Sequence, residues 1–263
     1  MNRVKQILPG TGWAGKVMIS YEETDSTNVR ARVAAMDGAL HGTLVTAAKQ
    51  TAGRGRRGRS WESPAGRNIY FTLILKPDFD PDQASMLTLV MSCAVTESIK
   101  QIAGLDCGIK WPNDIVVNGK KVCGILTEMS ADKGKINYVL IGVGINVGNQ
   151  EFAPELADKA TSLEKEAGTG MCRDELLSEI MRAFEKDYES FAECGNLKPL
   201  REAYNALLVN RNARVRVLDP REEYEGKALG ITNTGELLVE KEDGSLVEVY
   251  AGEVSVRGIY GYV

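Results

Sequence analysis

Histidine and paired cysteines are nearly missing from this sequence, which removes several kinds of chemistry. The 263 residues include one histidine, His41, too few for the imidazole cluster of a zinc site. No Gly-x-Ser-x-Gly sequence accompanies it, so a serine-hydrolase triad is not expected. The five cysteines form no Cys-x-x-Cys pair, which indicates free thiols in a reducing cytoplasm. The chemistry must therefore depend on lysine, arginine, carboxylates and backbone groups.

Long apolar runs are missing as well. No stretch approaches the roughly 20 apolar residues that a membrane helix needs, and residues 1–15 contain no apolar segment of a secretory signal. Neither a Walker A sequence nor a Rossmann glycine fingerprint occurs, so a nucleotide would need another scaffold. The net charge of −4 argues against nucleic-acid binding with the whole surface. The sequence therefore predicts neither a membrane protein nor a general nucleic-acid binder.

The hydrophobic pattern predicts an α+β protein. The length allows one large domain, or one large and one small domain. Apolar residues at helical spacing predict helices at residues 29–35, 81–103, 173–192 and 199–210. Apolar and β-branched runs predict strands at residues 43–48, 68–75, 109–117, 121–129 and 136–146. Asn118-Gly119 lies between two of these strands and predicts a hairpin turn.

The pattern changes after Arg211. Five short alternating segments follow, at about 215–218, 223–231, 237–240, 246–250 and 254–259. Closely spaced short strands with turn residues between them are typical of a small barrel. The sequence therefore predicts a larger domain over residues 1–211 and a small β-barrel domain over residues 212–263.

The most distinctive segment lies at residues 53–60, where four arginines and three glycines stand together without an acid. Guanidinium groups fit carboxylates and phosphates, and glycines let backbone N–H groups form a concave anion site. We call residues 53–60 the arginine loop. Its composition predicts a small anionic ligand, and mutual repulsion of the arginines predicts a loop that is mobile until that ligand binds.

Three further segments carry candidate functional groups. Residues 110–114, Lys-Trp-Pro-Asn-Asp, gather a cation, an aromatic ring, an amide and a carboxylate, and the proline must interrupt a strand. Residues 142–146, Gly-Val-Gly-Ile-Asn, remove side chains from a strand, which suits close approach of a ligand. Lys120 and Lys121 begin the second hairpin strand; side chains alternate there, and periodicity does not decide which lysine faces inward.

These residues, in this order, resemble the biotin–protein ligases. The matching segments are residues 25–28, Gln50 with the arginine loop and Trp61, residues 110–114, Lys121 with residues 124–126, residues 142–146 and residues 252–257. The resemblance implies a class II synthetase-like catalytic domain, with a mixed or antiparallel sheet and helices on one side, and an SH3-like C-terminal barrel. It implies that biotin and Mg-ATP give biotinyl-5′-AMP, and that biotin then passes to one lysine of a biotin carboxyl carrier domain.

The resemblance also implies roles for individual residues. The main catalytic residue is Lys121, which would bridge the biotin carboxylate and the α-phosphate; Arg56 and Asp114 would assist, and Asp114 would orient the acceptor lysine. The residues implied to bind biotin are Ser26, Thr27, Asn28, Gln50, Arg54, Gly55, Arg56, Lys121, Gly124, Gly142 and Gly144. The residues implied to bind ATP are Arg54, Arg56, Arg59, Trp61, Lys110, Asn113 and Asn146. Mg²⁺ is expected to bind through the phosphates, near Asn146.

Some biotin–protein ligases carry an N-terminal winged helix that binds DNA. Only 24 residues precede Asp25, so a ligase without that domain, with no DNA partner, is expected. An exposed sheet edge would permit side-by-side dimers. Three alternatives remain: a lipoate–protein ligase with the same two-step logic, an RNA- or DNA-binding module that uses the arginine loop, and a catalytically inactive paralogue.

Overall fold

The computed structural model describes residues 3–5, 10–219, 222–251, 255–258 and 262–263. The helices are α1 (Thr27–Met36), α2 (Leu87–Ala103), α3 (Leu163–Ala167), α4 (Arg173–Cys194) and α5 (Arg201–Leu207), with 3-10 turns at Arg56–Gly58 and Pro81–Met86. The strands are β1 (Arg3–Lys5), β2 (Met18–Tyr21), β3 (Thr43–Ala47), β4 (Ile69–Leu75), β5 (Cys107–Lys110), β6 (Asp114–Val117), β7 (Lys120–Asp132), β8 (Lys135–Ile145), β9 (Arg214–Leu218), β10 (Glu223–Ile231), β11 (Leu237–Glu240), β12 (Leu246–Val249) and β13 (Ser255–Gly258).

A mixed sheet organises the larger part of the chain. Its strand order is β1-β2-β3-β4-β8-β7-β6-β5. β2 and β3 run parallel, and the other neighbouring pairs run antiparallel. No described helix is both long and apolar enough to cross a membrane. The predicted α+β class is confirmed.

The two faces of this sheet carry different helices. Leu73 and Ile141 belong to the main core with α2 and α4, whereas their neighbours Ile74 and Leu140 pack with Ala31 of α1. Consecutive strand residues point to opposite faces, so α1 lies on the face opposite α2 and α4. The expectation that all helices lie on one side is therefore wrong. α1 is short and its apolar side is built mainly of alanine, so its pattern did not indicate which face it covers.

The segment around the proline differs from its predicted form. Residues 109–117 do not make one strand: β5 and β6 pair antiparallel with each other, and Lys110 pairs with Asp114. The chain reverses over Trp111–Asn113, with a cis Trp111–Pro112 peptide bond. Proline has no backbone N–H to donate within a sheet, so the strand is interrupted here as expected. The interruption is a complete reversal of chain direction. This reversal places Lys110 and Asp114 side by side.

The C-terminal strands form a second sheet with the order β12-β11-β10-β9-β13, antiparallel throughout. Within the described residues, no pairing joins β12 to β13, so the strands form an open sheet rather than the closed barrel that was expected. Residues 254 and 259, the ends of the last predicted strand, lie outside the described residues. The predicted strands at 215–218, 223–231, 237–240 and 246–250 are present within one residue of their bounds.

The second sheet packs directly on the larger part of the chain. The indole of Trp111 donates a hydrogen bond to the carbonyl oxygen of Gly235, at 3.0 Å. Trp111 is 2% exposed, and Val217 and Val239 of the second sheet belong to the main hydrophobic core. The predicted boundary at residue 211 lies between two sheets that share one core, and the division into two domains stays a prediction.

Candidate active site

The candidate site lies on the α1 face of the mixed sheet, where small residues form a flat floor. Gly144 of β8 pairs with Gly124 of β7, and Gly142 pairs with Leu126. On the other side of β8, Thr72 lies opposite Gly142. Paired residues and second neighbours along a strand share a face, so these positions form one surface. Apart from Leu126, the middle of that surface has no large side chain of its own.

Two side chains from neighbouring elements enter the space above the glycines. A Cβ atom added at Gly142 would lie 2.0 Å from Oδ1 of Asn28, and one at Gly144 would lie 2.4 Å from Nε1 of Trp61. The sequence predicted that these glycines admit a ligand. In the structure they first admit Asn28 and Trp61, because no side chain larger than hydrogen fits beneath them.

A polar network connects α1 to this floor. The hydroxyl of Thr72 donates to Oδ1 of Asn28 at 2.6 Å, and Nδ2 of Asn28 donates to Glu128 at 2.8 Å. The backbone N–H of Thr27 donates to Oε1 of Gln50 at 2.8 Å. Ser26, Thr27 and Asn28 are buried. The network fixes polar groups at the start of α1 where they can recognise a polar ring.

The arginine loop folds back over one end of the floor. The backbones of Arg54 and Ser60 form an isolated antiparallel β-bridge. The N–H of Gly55 donates to the carbonyl oxygen of Arg59 at 2.7 Å. Arg54 lies 3.3 Å from Glu128. The loop therefore has a defined hydrogen-bonded conformation, and its mobility without a ligand stays a prediction.

Arg56 connects the loop to two other parts of the chain. Its guanidinium donates to Oδ1 of Asn113 at 2.9 Å and to the carbonyl oxygen of Ala251. Burial lowers its pKa from the usual value, and Asp114 opposes that shift. Arginine remains charged even so, because its ordinary pKa lies far above neutral pH.

Trp61, the residue after the arginine loop, has an unsatisfied hydrogen-bond donor. Its indole Nε1 is buried and has no hydrogen-bond partner among the described residues. Buried donors are nearly always paired, so this atom is a candidate contact for a ligand. The ammonium of Lys121 lies 5.1 Å from the centroid of the indole ring.

Lys121 reaches the site because of a β-bulge. Ile115 pairs with Cys123 and Val116 pairs with Lys121, so β7 has one extra residue, Val122, at this point. The extra residue shifts the alternation, and Lys121 lies on the same side as Gly124. The Lys121 ammonium is 2.5 Å from Oδ1 of Asp114, while Lys120 donates outside the site to Ala157.

Lys110 lies beside this pair with its side chain buried. It is 6% exposed, and its ammonium lies 3.4 Å from the centroid of the Tyr262 ring. Burial lowers the pKa of Lys110 to about 8, while Asp114 opposes the shift and Lys121 adds to it. The site thus holds an ammonium that titrates close to neutral pH.

The structure brings the predicted site residues together around three adjoining spaces. The first is lined by Ser26, Thr27, Asn28, Gln50, Arg54, Gly55, Arg56, Trp61, Asn113, Lys121, Gly124, Gly142 and Gly144. The second adds Arg59, Lys110 and Asp114. The third, of about 840 Å³, adds Asn146 and is shared with Trp61 and Lys121.

A protein-held metal does not fit these residues. Within the ranges that the structure describes, no three acidic, histidine or cysteine side chains gather as a metal-binding group. The amide of Asn146 donates to the carbonyl oxygen of Thr161 at 3.2 Å. Magnesium takes oxygen ligands and keeps several waters, so it would have to arrive with a polyanionic ligand.

Several residues of the site were not predicted. Thr72 and Glu128 hold Asn28, Ser63 accepts a hydrogen bond from Gln50, and Tyr262 contacts Lys110 and Asp114. Thr72 could have been noticed as the one residue of β4 that is neither aliphatic nor aromatic. Tyr262 gave no signal, because it lies far along the chain from its partners.

Comparison with known proteins gives the class to which this fold and site belong. Residues 23–146 match the model of the biotin/lipoate A/B protein ligase family, and residues 212–257 match the biotin protein ligase C-terminal domain. The chain is 42% identical over 246 residues to the bifunctional ligase/repressor BirA of Bacillus subtilis, covering 92% of this chain and 74% of that protein. It is 33% identical to the biotin–[acetyl-CoA-carboxylase] ligase of Paracoccus denitrificans, covering 89% and 98%.

A solved structure agrees with the sequence relatives. The biotin protein ligase from Aquifex aeolicus in complex with biotin and ATP superimposes with a TM-score of 0.80 at 30% identity, covering 92% of this chain and 98% of that one. The chain therefore belongs to the biotin protein ligase family.

Proposed function

We propose that this chain activates biotin with ATP and transfers it to a lysine of a biotin carboxyl carrier domain. The observation that carries the proposal is the position of the Lys121 ammonium, which faces the glycine floor, pairs with Asp114 and lies near the arginine loop. Family membership and the similarity to a biotin- and ATP-bound ligase support it.

The first step joins two anions. The biotin carboxylate attacks the α-phosphate of ATP, an O–P bond forms, and pyrophosphate leaves with the electron pair of the broken P–O bond. Fixed positive charge offsets the repulsion between the reacting anions and stabilises the transition state. Lys121, Lys110 and Arg56 provide that charge from partly or fully buried positions.

The second step needs a proton acceptor. The acceptor lysine forms a C–N bond with the carbonyl carbon of biotinyl-AMP, and AMP leaves with the electrons of the C–O bond. The proton that the amine loses passes to the Asp114 carboxylate. Among the described residues that line the space around Lys110, Asp114 is the one carboxylate, which supports this assignment.

The polar start of α1 suits the head of biotin. Asn28, Thr27 and Gln50 present amide and hydroxyl groups, and the family resemblance assigns them to the ureido ring. Mg²⁺ would be held by the ATP phosphates and water, with Asn146 the nearest predicted protein group. The free state of all five cysteines favours a reducing cytoplasm. Residues 1–211 would form the catalytic domain and residues 212–263 a smaller C-terminal domain around the second sheet.

The test is biotin-dependent exchange between ATP and labelled pyrophosphate, followed by transfer to a purified carrier domain. Exchange with biotin and none with lipoate is expected. Exchange with lipoate and none with biotin would replace this function with that of a lipoate–protein ligase. No exchange with either compound, together with salt-dependent retention on RNA or DNA, would favour the nucleic-acid-binding alternative.

A further inference from the structure

Tyr262 contacts both charged residues of the β5–β6 reversal. Its hydroxyl donates to Oδ2 of Asp114 at 2.5 Å, and its ring lies over the ammonium of Lys110. The same residue lines the space that contains Arg59, Arg257 and Lys121. A residue of the C-terminal region therefore forms part of the wall around the proposed reaction centre.

The backbone beside Tyr262 is closely packed. A Cβ atom added at Gly258 would lie 1.8 Å from the carbonyl oxygen of Val263, and one at Gly119 would lie 3.4 Å from a methyl group of Val263. The segment 262–263 thus lies between β13 and the turn that follows β6. Both close approaches involve Val263, the residue that follows Tyr262.

The hydroxyl of Tyr262 is a donor at neutral pH. Burial raises its pKa far above the usual value, and the neighbouring Asp114 raises it further. A protonated phenol donates to an ionised carboxylate, and a hydrogen bond to a charged group is among the stronger ones in proteins. The Asp114 carboxylate is then held through both oxygens, one by Tyr262 and the other by Lys121.

The contacts of Asp114 with Tyr262 and with Lys121 are expected to behave differently during the reaction. Lys121 is the cation proposed to bind the biotin carboxylate and the α-phosphate, and its ammonium cannot remain paired with Asp114 alone once these anions arrive. Tyr262 carries no charge and does not compete for an anion. It can keep Asp114 in place when Lys121 changes partner.

We propose that Tyr262 is a positioning residue for the second step, in which its hydroxyl holds the Asp114 carboxylate to accept the proton of the incoming lysine. This inference rests on the proposed function. In the balanced step the lysine nitrogen bonds to the acyl carbon, AMP leaves with the C–O electrons, and the proton moves to Asp114. Tyr262 keeps its proton and forms no covalent bond in this step.

The test separates the two steps in Tyr262→Phe, which keeps the ring over Lys110 and removes the hydroxyl. Pyrophosphate exchange reports the first step, and single-turnover transfer from preformed biotinyl-AMP to a purified carrier domain reports the second. Transfer is expected to fall about tenfold while exchange changes by less than about twofold.

The matched control is Tyr224→Phe, which removes the hydroxyl of another tyrosine whose ring lies near a lysine, 4.4 Å from Lys241, in the second sheet. It is expected to change neither step. The double variant Asp114→Asn, Tyr262→Phe is expected to transfer no more slowly than Asp114→Asn alone, because Tyr262 acts through Asp114.

Unchanged transfer in Tyr262→Phe would overturn the inference, as would an equal loss in both steps or fully additive losses in the double variant. These results are distinct from failure of the proposed function, which would appear in the unsubstituted protein as the absence of biotin-dependent exchange.

Discussion

At the scale of single residues, two adjacent lysines on β7 have different surroundings. Lys121 faces the glycine floor and pairs with Asp114, whereas Lys120 donates to the carbonyl oxygen of Ala157 outside the site. The difference comes from the bulge at Val122. Simple alternation could not assign the inward lysine, because an inserted residue changes which positions share a face.

The two lysines provide a matched pair of variants. Lys121→Ala is expected to reduce biotin-dependent pyrophosphate exchange by at least about a hundredfold, since a preorganised charge at a developing anion typically contributes that much. Lys120→Ala is expected to retain exchange close to that of the unsubstituted protein. Equal exchange in both variants would remove Lys121 from its proposed role.

Lys110 predicts a pH dependence of nucleotide binding. Its pKa of about 8 means that the ammonium loses its charge as the pH rises through that value, so ATP affinity is expected to fall above pH 8. The dissociation constant of ATP, measured by calorimetry from pH 6.5 to 9.5, tests this. Lys110→Met is expected to bind ATP more weakly and to lose the dependence near pH 8.

The lowered pKa of Lys110 affects folding stability in the opposite direction from ATP binding: stability is expected to increase as the pH rises. The unfolded chain keeps the Lys110 proton up to about the ordinary lysine pKa of 10.5, whereas the folded chain releases it near 8. Between these values the unfolded state binds more protons, so this group makes folding more favourable as the pH rises. A contribution of Lys110 to the free energy of unfolding that fell between about pH 8 and 10.5 would contradict the burial of its ammonium.

At the scale of elements, Arg56 connects the arginine loop to two distant segments of the chain. This side chain reaches Asn113 in the β5–β6 reversal and Ala251 after β12. Without it, the loop loses hydrogen bonds to two separate segments. A closed loop excludes water from a hydrolysable mixed anhydride.

Arg56→Gly is therefore expected to release biotinyl-AMP into solution. Pyrophosphate exchange should persist, because Lys121 and Lys110 remain, while free adenylate detected by chromatography should increase severalfold. Arg57→Gly offers a control in the same turn. Tight retention of the adenylate by Arg56→Gly would refute the role of this contact in loop closure.

The elements also show how far the sequence could lead. The apolar pattern predicted the long helices and most strand bounds, because each helix buries an apolar face and each central strand has a continuous buried run. It missed the reversal at residues 110–114, since a proline within an apolar run indicates that the strand is interrupted but not the direction in which the chain continues. It missed the contacts of Tyr262 and Glu128, because long-range partners leave no local pattern.

At the scale of the whole molecule, Trp111 joins the two sheets. Its buried indole donates to the carbonyl oxygen of Gly235, and its neighbours in the chain are the residues of the reversal. Residues 110–114 therefore contribute both to the candidate site and to the packing between the two sheets. Lys110 and Asp114 face the site, while Trp111 packs against the second sheet.

Trp111→Phe is expected to lower the free energy of unfolding by about 1–3 kcal/mol, because it leaves a buried carbonyl group without its donor. Urea denaturation measures the loss. Trp61→Phe is the control, since the Trp61 indole N–H has no partner among the described residues to leave unpaired. A smaller loss in Trp111→Phe than in Trp61→Phe would contradict the importance of the bond to Gly235.

The two glycine positions of β8 also bear on ligand choice. Asn28 and Trp61 occupy the space above Gly142 and Gly144, so the room over the floor depends on these two intruding side chains as well as on the ligand. Trimming either side chain would create a recess of known position, and a substrate analogue with a matching protrusion could fill it. The strand thus offers a place to build an enzyme variant that accepts a modified vitamin and labels proteins with it.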